Sequence, residues 1–184
     1  MKLLKAMSVL IGLSVGCSPI GQQVPDDSYN FDVQSQAFSN GEGPVVCIDE
    51  GHNNFHTIEG GYKAFARLVR ADGCVAIGFS QALSTNNLSS CDLLVIANAL
   101  AEENSSDWSY PHLSAFTKNE ILELGTWIES GGKLLLIADH APFAGAARDL
   151  GAAIGILMAD VYADGDGIPS SIDIFSRSLD TLHQ

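Results

Sequence analysis

Short runs of consecutive apolar residues alternate along the chain with stretches in which apolar residues recur every three or four positions. The continuous runs are Val45-Val46-Cys47-Ile48, Val75-Ala76-Ile77-Gly78-Phe79, Leu93-Leu94-Val95-Ile96-Ala97 and Leu134-Leu135-Leu136-Ile137-Ala138. A strand with one wet face alternates apolar with polar residues, so these unbroken runs predict strands covered on both faces. Between them, Ala64, Phe65, Leu68 and Val69 recur at helical spacing and stop at Asp72-Gly73, where glycine caps the helix end. Thr117-Lys118-Asn119-Glu120 is a capping box. It opens a helix carrying Ile121, Leu122, Leu124, Trp127 and Ile128, which stops at Gly131-Gly132. A further helix is predicted from Ala146 to Gly155. Buried strands alternating with amphipathic helices predict an α/β fold, a three-layer sandwich around a mainly parallel sheet.

The pattern before Pro44 is of another kind. Met1-Lys2-Leu3-Leu4-Lys5 is a short basic segment, and Ala6 to Gly16 is an apolar run of signal-peptide length, too short to span a bilayer. Leu13-Ser14-Val15-Gly16-Cys17 resembles a bacterial lipobox, with Ser14 standing where an aliphatic residue is usual. The resemblance implies cleavage after Gly16 and acylation of Cys17, which would anchor the chain to the lipid bilayer of a bacterial cell envelope. Ser18 after the cysteine would direct a Gram-negative lipoprotein to the outer membrane, facing the periplasm. Ordinary cleavage and secretion is the alternative. Residues 17–43, rich in Gln, Ser, Asn, Gly, Pro and Asp, read as a tether, which leaves 44–184 as a single domain.

Composition narrows the partners. The 184 residues carry 22 Asp and Glu against 9 Lys and Arg, a net charge of −13. Removing Lys2 and Lys5 with the leader leaves 7 basic residues against the same 22 acidic ones, or −15. A chain of this sign, with no basic stripe, excludes nucleic acid as a partner. At 46% hydrophobic it is an ordinary packed protein rather than a disordered one. With Cys17 acylated, Cys47, Cys74 and Cys91 remain, an odd number in a compartment that permits disulfides, so at least one thiol is free. No C-x-x-C pair occurs, and Cys47, inside an apolar run, reads as a small buried hydrophobe.

In parallel α/β sheets ligands bind beyond the carboxyl ends of the strands, where strand order reverses, so the residues just after each strand are the place to look. They are Asp49-Glu50-Gly51-His52-Asn53-Asn54-Phe55-His56-Thr57 after the first run, Asn98 after the third and Asp139-His140 after the fourth. Three of the five histidines lie at two strand ends. Asp49, Glu50, His52, His56, Asp139 and His140 are therefore the candidate catalytic residues, and Asn53, Asn54 and Asn98 the candidate ligand-binding ones. The competing reading has Asp49, Asn53 and Asn54 doing no more than capping backbone groups at tight turns.

Val46 to Thr57, then Phe116-Thr117 with Glu120, then Gly131 to His140, resemble an uncharacterised bacterial family of domains of unknown function with a class I glutamine amidotransferase-like, flavodoxin-like fold. The resemblance covers about Pro44 to Ile154. It implies the fold and a site at these strand ends, and no particular activity. An amidotransferase places a nucleophilic cysteine in the turn after a buried strand, whereas here the turn reads Ala138-Asp139-His140-Ala141-Pro142. Amidotransferase chemistry is therefore rejected.

What remains follows by elimination. Neither G-x-S-x-G nor a cysteine beside a strand-end histidine occurs, and Gly60-Gly61 and Gly131-Gly132 are isolated pairs without phosphate-binding spacing. A hydrolase using a divalent metal held by His52, His56 and His140 would draw its nucleophile from bound water. A metal-free His/Asp acid–base pair is the other catalytic option. The non-catalytic alternative is a tethered module that binds a small polar ligand or another envelope protein.

Two further segments carry expectations. Glu102 to Ser114, with Trp108, Tyr110, Pro111 and His112, is long enough for a lid or partner surface, while Trp108 and Trp127 individually read as packing residues. Asp160, Asp164, Asp166, Gly167 and Asp173 resemble part of a calcium loop. However, placing Gly167 sixth puts Tyr162 where a carboxylate is required, so the segment reads as an acidic loop. No final strand–helix pair is legible after it, and the sheet is expected to lack its last elements.

Overall fold

The computed structural model describes residues 33–161 together with Ser28 and Phe31. The leader, Cys17 and the acidic positions from Tyr162 to Asp173 lie outside the described residues.

Four strands, β1 (Val45–Asp49), β2 (Val75–Phe79), β3 (Leu93–Ala97) and β4 (Lys133–Ile137), form one all-parallel sheet in the order β2-β1-β3-β4. The principal helices are α1 (Lys63–Ala71), between β1 and β2, and α2 (Lys118–Glu129), between β3 and β4. Two short helices, α3 (Phe143–Ala146) and α4 (Arg148–Ala153), follow β4. Among the described residues no helix is long and apolar enough to cross a membrane.

Two cores, one on each face, cover the central strands β1 and β3, whereas the edge strands β2 and β4, expected to be covered on both faces, leave Ile77 and Leu135 each 39% exposed because among the described residues no further strand or helix covers them. Strand side chains alternate sides, so Val46, Ile48 and Val95 pack with Ile58, Phe65, Ala66 and Val69 under α1. Cys47, Leu94 and Ile96 point the other way and pack with Leu124, Trp127 and Leu150 of α2 and α4. Leu68 and Leu122, counted on the apolar faces of their helices from spacing alone, are exposed. The α2 start is the predicted capping box: Glu120 N–H donates to Thr117 Oγ1 (3.2 Å) and Thr117 N–H donates to Glu120 Oε2 (3.0 Å).

Three expectations need correction. Cys47 is not a simple buried hydrophobe, because it is bridged to Cys91 beneath α2, and among the described residues Cys74 is the free cysteine. The helix predicted over 146–155 begins earlier and is broken in two. The Ala146 carbonyl accepts from Ala115 N–H (3.0 Å), which takes it out of the helical ladder. Residues 36–43, read as tether, are docked on the end of α1. Ala37 N–H donates to Asp72 Oδ1 (2.8 Å), and Gly41 and Gly43 N–H both donate to Gly73 O (3.0 Å). Gly73, at φ +93°, lies so close to the Phe38 carbonyl that no side chain fits there.

Candidate functional site

The strand order reverses between β1 and β3, and the crevice beyond their carboxyl ends is filled by the protein's own loops. Leu100 N–H donates to His52 O (2.8 Å) and Phe55 N–H donates to Asn98 O (2.9 Å), so the post-β1 and post-β3 segments are laced together. Asn53 and Asn98 make this possible by adopting positive φ (45° and 50°), which asparagine tolerates better than most residues. Their side chains serve the same lacing: Asn53 Nδ2 donates to Leu100 O (3.4 Å) and Asn98 Oδ1 accepts from Asp139 N–H (3.4 Å).

Inside this crevice lies a closed electrostatic unit. His52, 7% exposed, donates from Nδ1 to both oxygens of the fully buried Asp49 (2.9 and 3.0 Å) and from Nε2 to Glu120 Oε1 (3.1 Å). Both neighbours are carboxylates, so both bonds form together only when the imidazole carries two protons. Burial works against that charge, but the bonds and charges of Asp49 and Glu120 outweigh it and hold the imidazole above its ordinary 6.5. Burial likewise opposes the charge on Glu120, but the Thr117 backbone and hydroxyl and His52 bring it below its usual value. Asp49 also accepts from Gly51 N–H (3.2 Å) and Asn54 Nδ2 (2.9 Å), and Asn54 Oδ1 accepts from His52 N–H (3.1 Å). Glu120 Oε1 takes Leu83 N–H as well (3.2 Å), and the Phe116 ring lies 4.8 Å from the imidazole. Every polar atom of this unit is engaged, and it joins β1, the post-β2 segment and the start of α2. Glu50 is also a strut, since its Oε1 accepts from Ile58 N–H (2.7 Å).

A second constellation lies outside the crevice and faces solvent. Asp139, with a 49% exposed side chain, has its carboxylate 3.8 Å from His140 Nε2. The His140 ring is 5.4 Å from Phe143, Phe143 is 5.7 Å from Phe55, and Phe55 is 5.1 Å from His56. Asp139 acts electrostatically on His56 and on Tyr62, whose ring is 5.2 Å from His56. These contacts join into one partly exposed ring cluster at the strand ends, the basin. Phe143 is buried at its centre, and Trp108 of the 102–114 segment packs against it, 5.1 Å from Phe143 and 5.9 Å from Phe55. Burial lowers the His56 pKa, with Asp139 pulling the other way, so the imidazole is neutral near pH 7. Gly61 approaches His56 Nδ1 too closely for a Cβ, which accounts for one glycine of the Gly60-Gly61 pair.

The predicted residues thus separate into two groups. Asp49, Glu50, His52, Asn53, Asn54 and Asn98 build the crevice, while His56, Asp139 and His140 belong to the basin. The metal set His52, His56 and His140 is not assembled, because both nitrogens of His52 are taken by carboxylates. Among the described residues no three or more His, Cys, Asp or Glu side chains are grouped to hold a metal ion. Sequence reasoning missed Glu120 as the partner of His52, Phe55, Tyr62 and Phe143 as basin members, and Asn104. Asn104 is buried, donates from Nδ2 to the carbonyls of Asp107, Ser109 and Pro111 (3.2–3.3 Å) and accepts Leu113 N–H (3.0 Å), so it ties the 102–114 segment into a fixed shape. Trp108, read as packing, is 41% exposed, whereas Trp127 is buried with its indole N–H on Leu88 O. A cleft of about 230 Å³ lies at the opposite end of the sheet, lined by Cys91, Asp92, Trp127 and 130–133, away from every candidate residue.

No protein-family model matches the chain, and neither the curated proteins nor the solved structures contain a significant match.

Proposed function

We propose that this protein is a lipid-anchored envelope domain of the class I glutamine amidotransferase-like, flavodoxin-like kind, and that its strand-end basin binds a small ligand without amidotransferase chemistry. The strand order 2-1-3-4 supports that fold, being the order in which flavodoxin-like sheets begin. The buried Cys47–Cys91 bridge suits an oxidising compartment, as the lipobox-like string ending at Cys17 requires.

The observation that carries the ligand-binding reading is the division of the histidines. Both nitrogens of His52 are held by carboxylates and His140 Nδ1 is held by the Ala141 carbonyl, whereas His56 lies against the exposed Phe55 ring with Asp139 acting on it. Ligand sites combine apolar and aromatic side chains with a few placed polar groups, and here His56 lies beside Phe55 with Asp139 acting on it. The test is a small-molecule screen read by NMR. Binders are expected to perturb Phe55, His56, Trp108 and His140 together. Binders that perturb only 91–92 and 130–133 would move the site to the opposite cleft.

A hydrolase reading is favoured by one observation, the neutral His56 imidazole beside Asp139, which suits a general base. Turnover of chromogenic esters, phosphates or glycosides that disappears in His56→Gln would establish it.

A further inference from the structure

We propose that the face of β4 on the α1 side is the docking site of the chain's own residues 171–183, seated there as a helix between Leu68 and Leu135. This proposal is independent of the ligand reading of the strand-end basin.

The face is apolar and open. Leu134 and Leu136 pack into the core under α2, so Lys133, Leu135 and Ile137 point to the opposite side of the sheet, where α1 lies. Leu135 pairs with Val95, which packs under α1 and is fully buried, yet Leu135 itself is 39% exposed. The cover ends there because α1 leans toward β2: Arg70 donates from Nη2 to Ala76 O (2.7 Å), which marks the outer flank of the helix. Leu68, two positions from Arg70 and so about 200° around the helix, belongs to the flank turned toward β3 and β4. It is 42% exposed. Leu68 on one side and Leu135 with Ile137 on the other thus border an uncovered apolar strip.

The sequence beyond Val161 names the occupant. Val161 O accepts from Ala141 N–H (3.1 Å), so the chain passes the carboxyl end of β4 as it leaves the described residues. Residues 162–170 can span up to about 30 Å, ample to turn back over the strand. Next, Ile172, Phe175, Leu179 and Leu182 recur at i, i+3, i+7 and i+10, the spacing of one helical side, and of the apolar residues only Ile174 falls off it. Ser170 and Asp173 have the spacing of a capping box. Thirteen helical residues measure about 20 Å, against about 16 Å for the five-residue β4. Running back from the carboxyl end, the helix finishes near the exposed Lys133, whose positive charge suits the carbonyl end of a helix.

The test is NMR on the full chain with labelled methyl groups. Nuclear Overhauser contacts are expected from the Leu68 and Leu135 methyls to the Phe175 ring, and amides of 172–182 should exchange about tenfold or more slowly than in an unstructured peptide. Leu179→Asp should abolish both effects and shift the Leu135 methyl signals, whereas Arg177→Ala, off the apolar side, should leave them unchanged. An unshifted Trp127 indole signal shows that each variant is folded. Absence of the Leu135–Phe175 contact, or an equal response to Leu179→Asp and Arg177→Ala, overturns the proposal. Contacts to Leu135 that vanish on dilution assign the face to a second copy of the chain and overturn it as well.

Discussion

Replacing Asp49 by asparagine keeps the size of a fully buried side chain and removes only its charge and one acceptor oxygen. In the native protein the two carboxylate oxygens serve His52 Nδ1, Asn54 Nδ2 and Gly51 N–H. The amide offers one oxygen to these three donors and turns an NH₂ toward one of them. The loss is one charge-assisted bond, about 1.5–3 kcal/mol, plus an unsatisfied buried donor, about 1–3 kcal/mol. That agrees with the roughly 3–5 kcal/mol typical of breaking a buried ion pair from one side. For a domain of this size it corresponds to a fall in Tm of about 10–15 °C. Urea unfolding monitored by circular dichroism gives the free energy, and Asp139→Asn is the control, expected within about 0.5 kcal/mol of the parent because its side chain is half exposed. A loss below about 1 kcal/mol in Asp49→Asn would refute the view that the Asp49–His52–Glu120 unit holds the crevice closed.

Stability should also depend on pH. The raised His52 pKa contributes stability fully present below 6.5 and lost as pH rises through the folded value, while the lowered Glu120 pKa contributes stability present above 4.5 and lost on acidification. Unfolding free energy is therefore expected to be greatest between those values and to fall toward alkaline pH, a slope that His52→Gln should flatten. Breaking the Cys47–Cys91 bridge, which is formed across a separation of 44 residues, should cost about 4 kcal/mol by loop entropy, read as a lower urea midpoint after reduction or in a Cys47→Ser/Cys91→Ser variant. Thr117→Ala removes the cap of α2 and should cost about 1 kcal/mol. His112 donates to Asp160 Oδ1 (2.8 Å) and to Trp108 O (3.0 Å), both acceptors, so both bonds need the imidazolium. Burial opposes this charge, but Asp160 and the Trp108 carbonyl raise its pKa. Acrylamide quenching of Trp108 should therefore increase as pH rises above 6.5 and be constant in His112→Gln.

The strands were legible because their signal is local, short unbroken apolar runs bounded by turn residues, although the runs did not reveal that Ile77 and Leu135 on the edge strands are 39% exposed. The capping box at Thr117 was legible for the same reason, since its partners are three residues apart. Glu120 was readable only in that local role; its bond to His52 spans 68 residues and depends on the strand order that brings β1 beside β3. Burial separates His52 from His56, four positions apart in one loop, and no spacing rule distinguishes them. Three cysteines allow three pairings, and Cys91 was chosen by its place under α2 beside β1. The basin is assembled from the post-β1 loop, the 102–114 segment, the end of β4 and α3, so its aromatic residues appeared isolated along the chain. Leu68 and Leu122 mark the opposite limit, helical periodicity that counts an apolar position without revealing whether a neighbour covers it.

The central claim is that His52 is a structural imidazolium locked between Asp49 and Glu120, while His56 outside the crevice is not. The most direct measurement is an NMR pH titration of the imidazole nitrogens. His52 is expected to keep both ring protons to a pH above 6.5, while His56 loses one below 6.5. A His52 ring that loses a proton below pH 6.5 would contradict it.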